Sequence, residues 1–260
     1  METNQKSVTI GGSFIIKESN PNDIFTPEDF TEEHKMMKDS VIEFVDREIV
    51  PKKQRFEQKD YKLTEEMMSK IGELGFLGVS VPEKYGGLEL DKITTAIVAE
   101  GLVKDPSFAV TWSVQTGIGS LPLIWFGTDE QKEKVFPRVV AGDYLAAASL
   151  SEPDTGSDLA SISCRADRTA EGWQVTGSKY WCTFADGADY ILLFARTDPS
   201  PNKRHQGISA FVIDKPRGEL PKGVQGSVIP KIGYFGGDLE SSLSAVRLVG
   251  KSFPHLYEYA

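Results

Sequence analysis

The hydrophobic pattern of the chain changes within GDYLAAASL, residues 142–150. Before this stretch, apolar residues recur three or four positions apart, as they do on one face of an α-helix. After it, polar and apolar residues alternate and strand-forming side chains dominate, which is typical of β-strands. Helices followed by strands favour an α+β protein whose two parts are segregated along the chain, rather than a parallel βαβ sheet.

The change of pattern sets the predicted domain boundaries. We divide the chain into a polar tail at 1–24, an all-α helical domain at 25–143, an antiparallel, β-barrel-like domain at 144–250 and an atypical tail at 251–260.

Capping residues predict where the helices of the first domain begin. Thr26-Pro27, Thr64 and Asp91 each precede a helical pattern, and Thr128 to Gln131 forms a capping box. The mostly apolar stretch at 107–126 predicts a buried helix that is interrupted by its glycines.

The composition argues against several classes of function. The 260 residues carry a net charge of -9, whereas nucleic-acid binding needs basic surface to neutralise phosphates. No apolar run approaches the ~20 residues of a membrane span, and the first residues lack the pattern of a signal peptide. Cys164 and Cys182 form no disulfide framework, and the three histidines are scattered. We therefore expect a cytoplasmic chain with no membrane span, no nucleic-acid partner and no metal.

The segment LSEPDTGSD, residues 150–158, is the most informative motif. Taken alone it is most simply a turn, because Pro, Asp and Gly each favour turn geometry. Successive amides and hydroxyls in a tight turn can also hold a polar heterocycle or a pyrophosphate. By contrast, the glycines at 117 and 119 fail as a dinucleotide fingerprint, because Pro122 stands where the third glycine would be and no strand precedes them.

A second motif, Trp181-Cys182-Thr183, follows about thirty residues later. A strand tryptophan is more often a core residue than a cofactor contact. Residues two apart share one face of a strand, so Trp181 and Thr183 could offer one ligand an aromatic wall and a hydroxyl.

With these motifs in this order behind a helical domain, the sequence resembles the acyl-CoA dehydrogenase family from about Thr26 to Gly236. Four stretches carry the resemblance. They are LGFLGV (74–79) with VPEKYGGL (81–88), SEPDTGSD (151–158), GSKYWCT (177–183), and ARTD (195–198) with GISAF (207–211).

The resemblance implies an N-terminal helical domain, a middle β domain and a C-terminal four-helix bundle, with FAD held between the last two. It implies an enzyme of lipid metabolism, such as fatty acid β-oxidation, that removes an α-proton and a β-hydride from an acyl-CoA thioester. The products are a trans-2-enoyl-CoA and reduced flavin, and the family's electron acceptor is an electron-transfer flavoprotein.

The family's flavin contacts map onto six residues of this chain. By the resemblance, Ser151 bonds the pyrimidine edge of the flavin, Thr183 lies near its N5 edge and Trp181 packs against the ring. Ser157 lies near both the flavin and the thioester–pantetheine part of the substrate. The full set is Leu150, Ser151, Gly156, Ser157, Trp181 and Thr183.

Two departures from the family pattern carry expectations of their own. Phe184-Ala185-Asp186 follows the threonine where the family usually has Asn, which indicates an altered acyl preference. After Gly236 the family pattern stops, so we expect the four-helix bundle, and with it the family's glutamate base, to be absent. None of Asp238, Glu240 and Glu258 sits in a motif that identifies it as the base. The last residues are interpreted as the out-of-frame end of a disrupted gene.

Several functions therefore stay open. The leading hypothesis is a truncated acyl-CoA dehydrogenase that is inactive alone, and activity restored by a separately encoded C-terminal piece is the main enzyme alternative. An acyl-CoA oxidase or another flavin-dependent relative shares the fold. A different class is a non-catalytic acyl-CoA- or flavin-binding subunit that pairs with a full-length paralogue. Exposed apolar surface on the helices predicts a homo- or hetero-oligomer.

Overall fold

The computed structural model describes residues 12–170 and 172–219, together with the backbone of three strands at 224–228, 243–253 and 257–259. Within these residues, seven α-helices precede all of the strands, so the segregated α+β fold predicted from the sequence is confirmed. The helices are α1 Glu32–Phe44, α2 Lys53–Glu57, α3 Tyr61–Glu73, α4 Lys92–Leu102, α5 Pro106–Ser113, α6 Leu121–Phe126 and α7 Asp129–Ala141.

Side-chain caps fix the starts of five of these helices. The predicted capping box at Thr128 is confirmed, because its hydroxyl accepts the Gln131 amide and the Gln131 side chain accepts the Thr128 amide. Asp91 caps α4 as predicted.

Two of the predicted helix starts are wrong. Thr26 does not begin the first α-helix, since Pro27–Asp29 forms only a 3-10 turn and Thr31 caps α1. Thr64 lies inside α3, which begins earlier because the Asp60 side chain accepts the amide of Leu63. In both cases another side chain nearby offers the free amides of the first turn a better-placed acceptor.

The predicted interruption of the apolar stretch at 107–126 is also confirmed. A π-helical turn, Val114–Ile118, separates α5 from α6, and Gly117 within it has ψ -105°, outside the helical range. Gly119 lets the chain approach the sheet, because a Cβ at this position would lie 2.6 Å from the Cβ of Ala146.

One mixed sheet follows the helices. Its ladders run in the order β6-β7-β3-β2-β4-β5-β8, and β1 pairs with β4. The strands are β1 Ala146–Ser149, β2 Arg165–Thr169, β3 Gly172–Thr183, β4 Tyr190–Arg196, β5 Ile208–Asp214, β6 Val224–Val228, β7 Leu243–Phe253 and β8 Tyr257–Tyr259.

The sheet differs from the predicted antiparallel barrel in two respects. The β1–β4 ladder is parallel, because the forty residues from Leu150 to Asp189 are long enough to return the chain to the same end of the sheet. Among the described strands no ladder joins β6 to β8, so the sheet is not closed into a barrel. Strand β7, Leu243–Phe253, also runs across the predicted boundary between residue 250 and the tail that begins at residue 251.

The helices and the sheet share apolar packing and a buried polar junction. Phe76 and Trp112 belong to the same apolar cluster as Val175 and Ile191 of the sheet. At the junction, Gln115 donates to the carbonyl oxygens of Val139 and Tyr144 and accepts the amide of Ala146. Tyr190 donates its buried hydroxyl to the Gly119 carbonyl at 3.0 Å. Within the described helices, none is long and apolar enough to cross a membrane.

Candidate functional site

The segment after β1 forms a tight turn and then an exposed loop. Glu152 and Thr155 exchange backbone hydrogen bonds of 2.8 and 3.2 Å, which puts Pro153 and Asp154 at the tip of a four-residue turn. The turn expected from the sequence is therefore present. Gly156 and Ser157 follow it and are exposed, while Leu150 and Ser151 before it are half-buried.

A buried ion pair holds this segment from beneath. Lys179 Nζ lies 2.8 Å from Glu152 Oε1 and 2.9 Å from the Leu150 carbonyl oxygen, and the two charged side chains are 0% and 3% exposed. Glu152 also accepts both the amide and the hydroxyl of Ser163 and the amide of Cys164. Burial opposes ionisation of Glu152, but the bonds from Lys179, Ser163 and Cys164 outweigh it and hold the pKa of this carboxyl below its usual value.

Strand β3 carries the second predicted motif at its end. The register of its ladder with β7 shifts between Lys179 and Cys182, and Trp181 within this bulge has φ +60°. Cys182 is fully buried, whereas Trp181 is 41% exposed and Thr183 is half-buried. Trp181 and Thr183 are thus both more accessible than Cys182 between them, and whether they share one face of the strand stays a prediction.

The two motifs are joined directly. The Tyr180 amide donates to the Ser151 carbonyl oxygen at 2.8 Å, so Ser151 and the bulge are neighbours. The structure therefore brings Leu150, Ser151 and Trp181 into one region. Gly156 and Ser157 lie further along the chain, beyond the Glu152–Thr155 turn.

The residues after Thr183, where the sequence departs from the family pattern, turn into the core. Phe184 is 3% exposed and meets Tyr61 of α3 edge-on at 5.7 Å between ring centroids. Lys215 is buried against this turn and donates to the carbonyl oxygens of Asp186 and Ala188. Burial lowers the pKa of Lys215 to about 8.

An apolar cleft of about 490 Å³ lies beside Leu150, between α6 and the sheet. Its exposed aromatic residues, Trp125 and Phe126, were not among the sequence-based candidates, because a run of apolar residues before a helix cap is typical of core. The lining is Pro122, Trp125, Phe126, Leu150, Leu159, Ala160, Ile162, Phe194, His205, Ile208 and Ala210.

Arg196 ties together two loops that line this cleft. Its guanidinium donates to the carbonyl oxygens of Ile162 at 3.0 Å, Ala160 at 2.7 Å and Arg204 at 3.0 Å. The first two belong to the loop after residue 158, and Arg204 adjoins His205 in the other loop. One planar, multidentate cation therefore sets the distance between the loops.

The two cysteines are free thiols next to the site, and burial raises the pKa of each to about 11. Because the thiolate is the reactive form, we expect Ellman's reagent at pH 8 to label neither cysteine in the native chain and both after unfolding in guanidinium. Rapid release of thiol from the folded chain would contradict the buried positions of Cys164 and Cys182.

The described residues contain no group of three or more His, Cys, Asp or Glu side chains that could hold a metal ion. Side chains that suit a flat heterocycle are present instead. The hydroxyls of Ser151 and Thr183 can hydrogen-bond to ring atoms, and the exposed indole of Trp181 offers an aromatic face. This donor set fits a flavin. Asp238, Glu240 and the side chain of Glu258 lie outside the described residues.

Known proteins resemble the chain in both sequence and structure. Family models for the N-terminal and the middle domain of acyl-CoA dehydrogenase match residues 31–143 and 147–240. A probable acyl-CoA dehydrogenase of Bacillus subtilis is 36% identical over 228 residues, which are 87% of this chain and 37% of that protein. A mitochondrial 2-methylacyl-CoA dehydrogenase of Solanum tuberosum is 33% identical over 78% of this chain and 49% of its own length.

The solved structure of an acyl-CoA dehydrogenase complexed with FAD from Bacillus anthracis superposes with a TM-score of 0.80 at 36% identity. That match covers 92% of this chain and 40% of the other. The chain thus spans half or less of the length of these relatives. Its two motifs, its helical-then-strand order and both family models agree, and the chain belongs to the acyl-CoA dehydrogenase family.

Proposed function

We propose that this chain supplies the flavin-contacting half of an acyl-CoA dehydrogenase, which removes two hydrogens from the α and β carbons of an acyl-CoA thioester. The observation that carries the proposal is the joining of the Ser151 segment to the Trp181 bulge, beside an apolar cleft. FAD would lie against Leu150, Ser151, Trp181 and Thr183, with Gly156 and Ser157 at its margin.

When bound, FAD supplies the hydride acceptor of the reaction. The chain's own residues would orient the ring: the Ser151 and Thr183 hydroxyls would donate to its heteroatoms, and Trp181 would offer it an aromatic face. Each contact is weak alone, but together they hold the reacting atoms at a fixed distance and exclude water. Ser157 would meet the thioester–pantetheine part of the substrate.

The cleft is the proposed site of the substrate's apolar portion. Its walls are nearly all apolar, and Leu150 belongs both to the cleft and to the proposed flavin contacts. An acyl chain that enters there would lie next to the ring. No residue is assigned as the base that removes the α-proton.

Exposed aromatic surface favours a second candidate, a non-catalytic subunit that binds acyl-CoA or flavin together with a full-length paralogue. Trp125 and Phe126 are 59% and 68% exposed, which is unusual for neighbouring aromatic residues.

If the chain acts as part of an enzyme, electrons would pass from the flavin to an electron-transfer flavoprotein. A solved structure described as the electron transferring flavoprotein of Acidaminococcus fermentans contains a chain similar in structure to this one. A role in fatty acid β-oxidation and a cytoplasmic location stay predictions.

We expect the purified chain, incubated with FAD and desalted, to keep a visible flavin spectrum. Ser151→Ala combined with Thr183→Ala should weaken FAD binding about tenfold, because two hydrogen bonds are lost. Ser161→Ala, which changes an exposed serine bonded only within the same loop, is the matched control.

Anaerobic addition of acyl-CoA then separates the two candidate functions. Bleaching of the flavin by the chain alone indicates a complete enzyme. If the chain retains flavin that bleaches only after a full-length paralogue is added, the chain is the binding subunit. Loss of all flavin on desalting, in the presence and absence of the paralogue, would contradict both.

A further inference from the structure

We propose that Lys179 and Glu152 are positioning residues for the flavin: their buried ion pair fixes Ser151 and the Trp181 bulge relative to each other. The inference rests on the proposed function and goes beyond it, since neither residue is among the expected flavin contacts. Neither side chain is exposed to a ligand, so both would act through the segments that they hold.

The pair touches both halves of the site. Lys179 Nζ reaches the Leu150 carbonyl oxygen at 2.9 Å, one residue before Ser151. Lys179 itself lies two residues before Trp181, and the next residue, Tyr180, donates its amide to the Ser151 carbonyl oxygen. A shift of the lysine would therefore move the segment on one side and the strand on the other.

The bulge needs such an anchor. Lys179 and Cys182 are paired with Val246 and Ser244 of β7, but no register pair is formed by Tyr180 or Trp181. In an ordinary ladder the neighbouring strand fixes each residue, whereas at a bulge this constraint is lost. Two hydrogen bonds to the Leu150–Ser151 segment replace this constraint: Lys179 Nζ donates to the Leu150 carbonyl oxygen, and the Tyr180 amide donates to that of Ser151.

Stability alone does not explain a pair buried this completely. Removing two charges from water is costly, and apolar residues of similar size often stabilise a protein equally well or better. What the ion pair adds is a fixed position for both side chains. Glu152 accepts from Lys179, Ser163 and Cys164, so its carboxylate is held on several sides and in turn fixes the lysine.

The test measures the FAD affinity of two site variants, Lys179→Met and Glu152→Gln, and of a control, Asp105→Asn. FAD is titrated with each protein, binding is followed by flavin fluorescence, and the temperature is kept well below the melting temperature of every variant. We expect each site variant to weaken FAD binding at least about tenfold, because a charged hydrogen-bond partner is lost. Asp105→Asn removes a buried carboxylate at the start of α5, outside the site, and should change FAD binding less than about twofold. The visible spectrum of the bound flavin should also shift in the site variants alone.

Folded site variants with wild-type FAD affinity and spectrum would overturn the proposal. If both variants fail to fold, Ser163→Ala decides, because it removes only the exposed hydroxyl that donates to Glu152 at 2.8 Å. We expect it to weaken FAD binding about threefold, and unchanged affinity would overturn the proposal.

Hydrogen exchange keeps this inference separate from the proposed function. Without FAD, Ser163→Ala should speed exchange of the Tyr180 amide relative to amides of α3. If the wild-type chain binds no FAD but this exchange effect is seen, the proposed function fails and the anchoring role stands. If FAD binds and neither affinity nor exchange responds, the anchoring role fails.

Discussion

Replacing Gly87 with Ala is expected to lower the free energy of unfolding by about 3 kcal/mol or more, because the new methyl group has no room. A Cβ at this position would lie 2.0 Å from the Val81 carbonyl oxygen. That oxygen also accepts the Glu89 amide, and the Leu88 and Leu90 amides are bonded to Gly78 and Val79. Three backbone hydrogen bonds thus cross the loop, so it cannot open locally to relieve the clash.

The neighbouring glycine provides the matched control. Gly86 has φ +89° and no atom within 4 Å of a Cβ, so Gly86→Ala carries only the cost of a left-handed residue, about 1–2 kcal/mol. Urea unfolding followed by circular dichroism measures both. Equal midpoints for the two variants, at equal slope, would show that the close approach to Val81 is not present in solution.

Replacing Arg196 with Met is expected to lower the free energy of unfolding by about 3 kcal/mol and to weaken acyl-CoA binding to the cleft about tenfold. Three carbonyl oxygens from two loops lose their shared donor. The loops that carry Ala160 and His205 are then no longer held together, and both of these residues line the cleft. Arg196→Lys should rescue little, since one ammonium cannot span three carbonyls.

Arg165 is the natural control, because it lies directly opposite Arg196 in the β2–β4 pairing. Its partner is Asp167, and the two side chains are 58% and 44% exposed, so Arg165→Met should cost less than about 1 kcal/mol. Isothermal titration with an acyl-CoA and urea unfolding give the two readouts. Unchanged binding by a folded Arg196→Met chain would mean that the cleft is not the acyl-CoA site.

The sequence predicted those parts of the fold that depend on neighbouring residues. The capping box at Thr128 and the break in the helix near Gly117 are local, since each rests on residues within one or two turns. The start of α1 was misplaced because the reciprocal partner of Thr31 is His34 rather than Glu or Gln. The parallel pairing of β1 with β4 was missed because no local pattern states which strand lies beside which.

The candidate site divides in the same way. Ser151, Trp181 and Thr183 could be predicted because they belong to short motifs, and their roles toward a flavin stay predictions. The Glu152–Lys179 pair joins residues 27 positions apart, and a lysine in a strand ordinarily faces solvent. Arg196 likewise reveals its importance only through the carbonyl oxygens that surround it. Contacts of this kind depend on the packed structure and have no signature in spacing.

Gln115 has a consequence for any attempt to divide the protein. Its single side chain bonds the end of α7, the connecting residue Tyr144 and the start of β1, so the predicted domain boundary between residues 143 and 144 is not a hinge. A fragment cut there would separate Gln115 from two buried backbone groups of the strand piece, the Tyr144 carbonyl oxygen and the Ala146 amide. The helical and strand halves are therefore interdependent building blocks, and neither should be exchanged between relatives without the π-helical turn that carries Gln115.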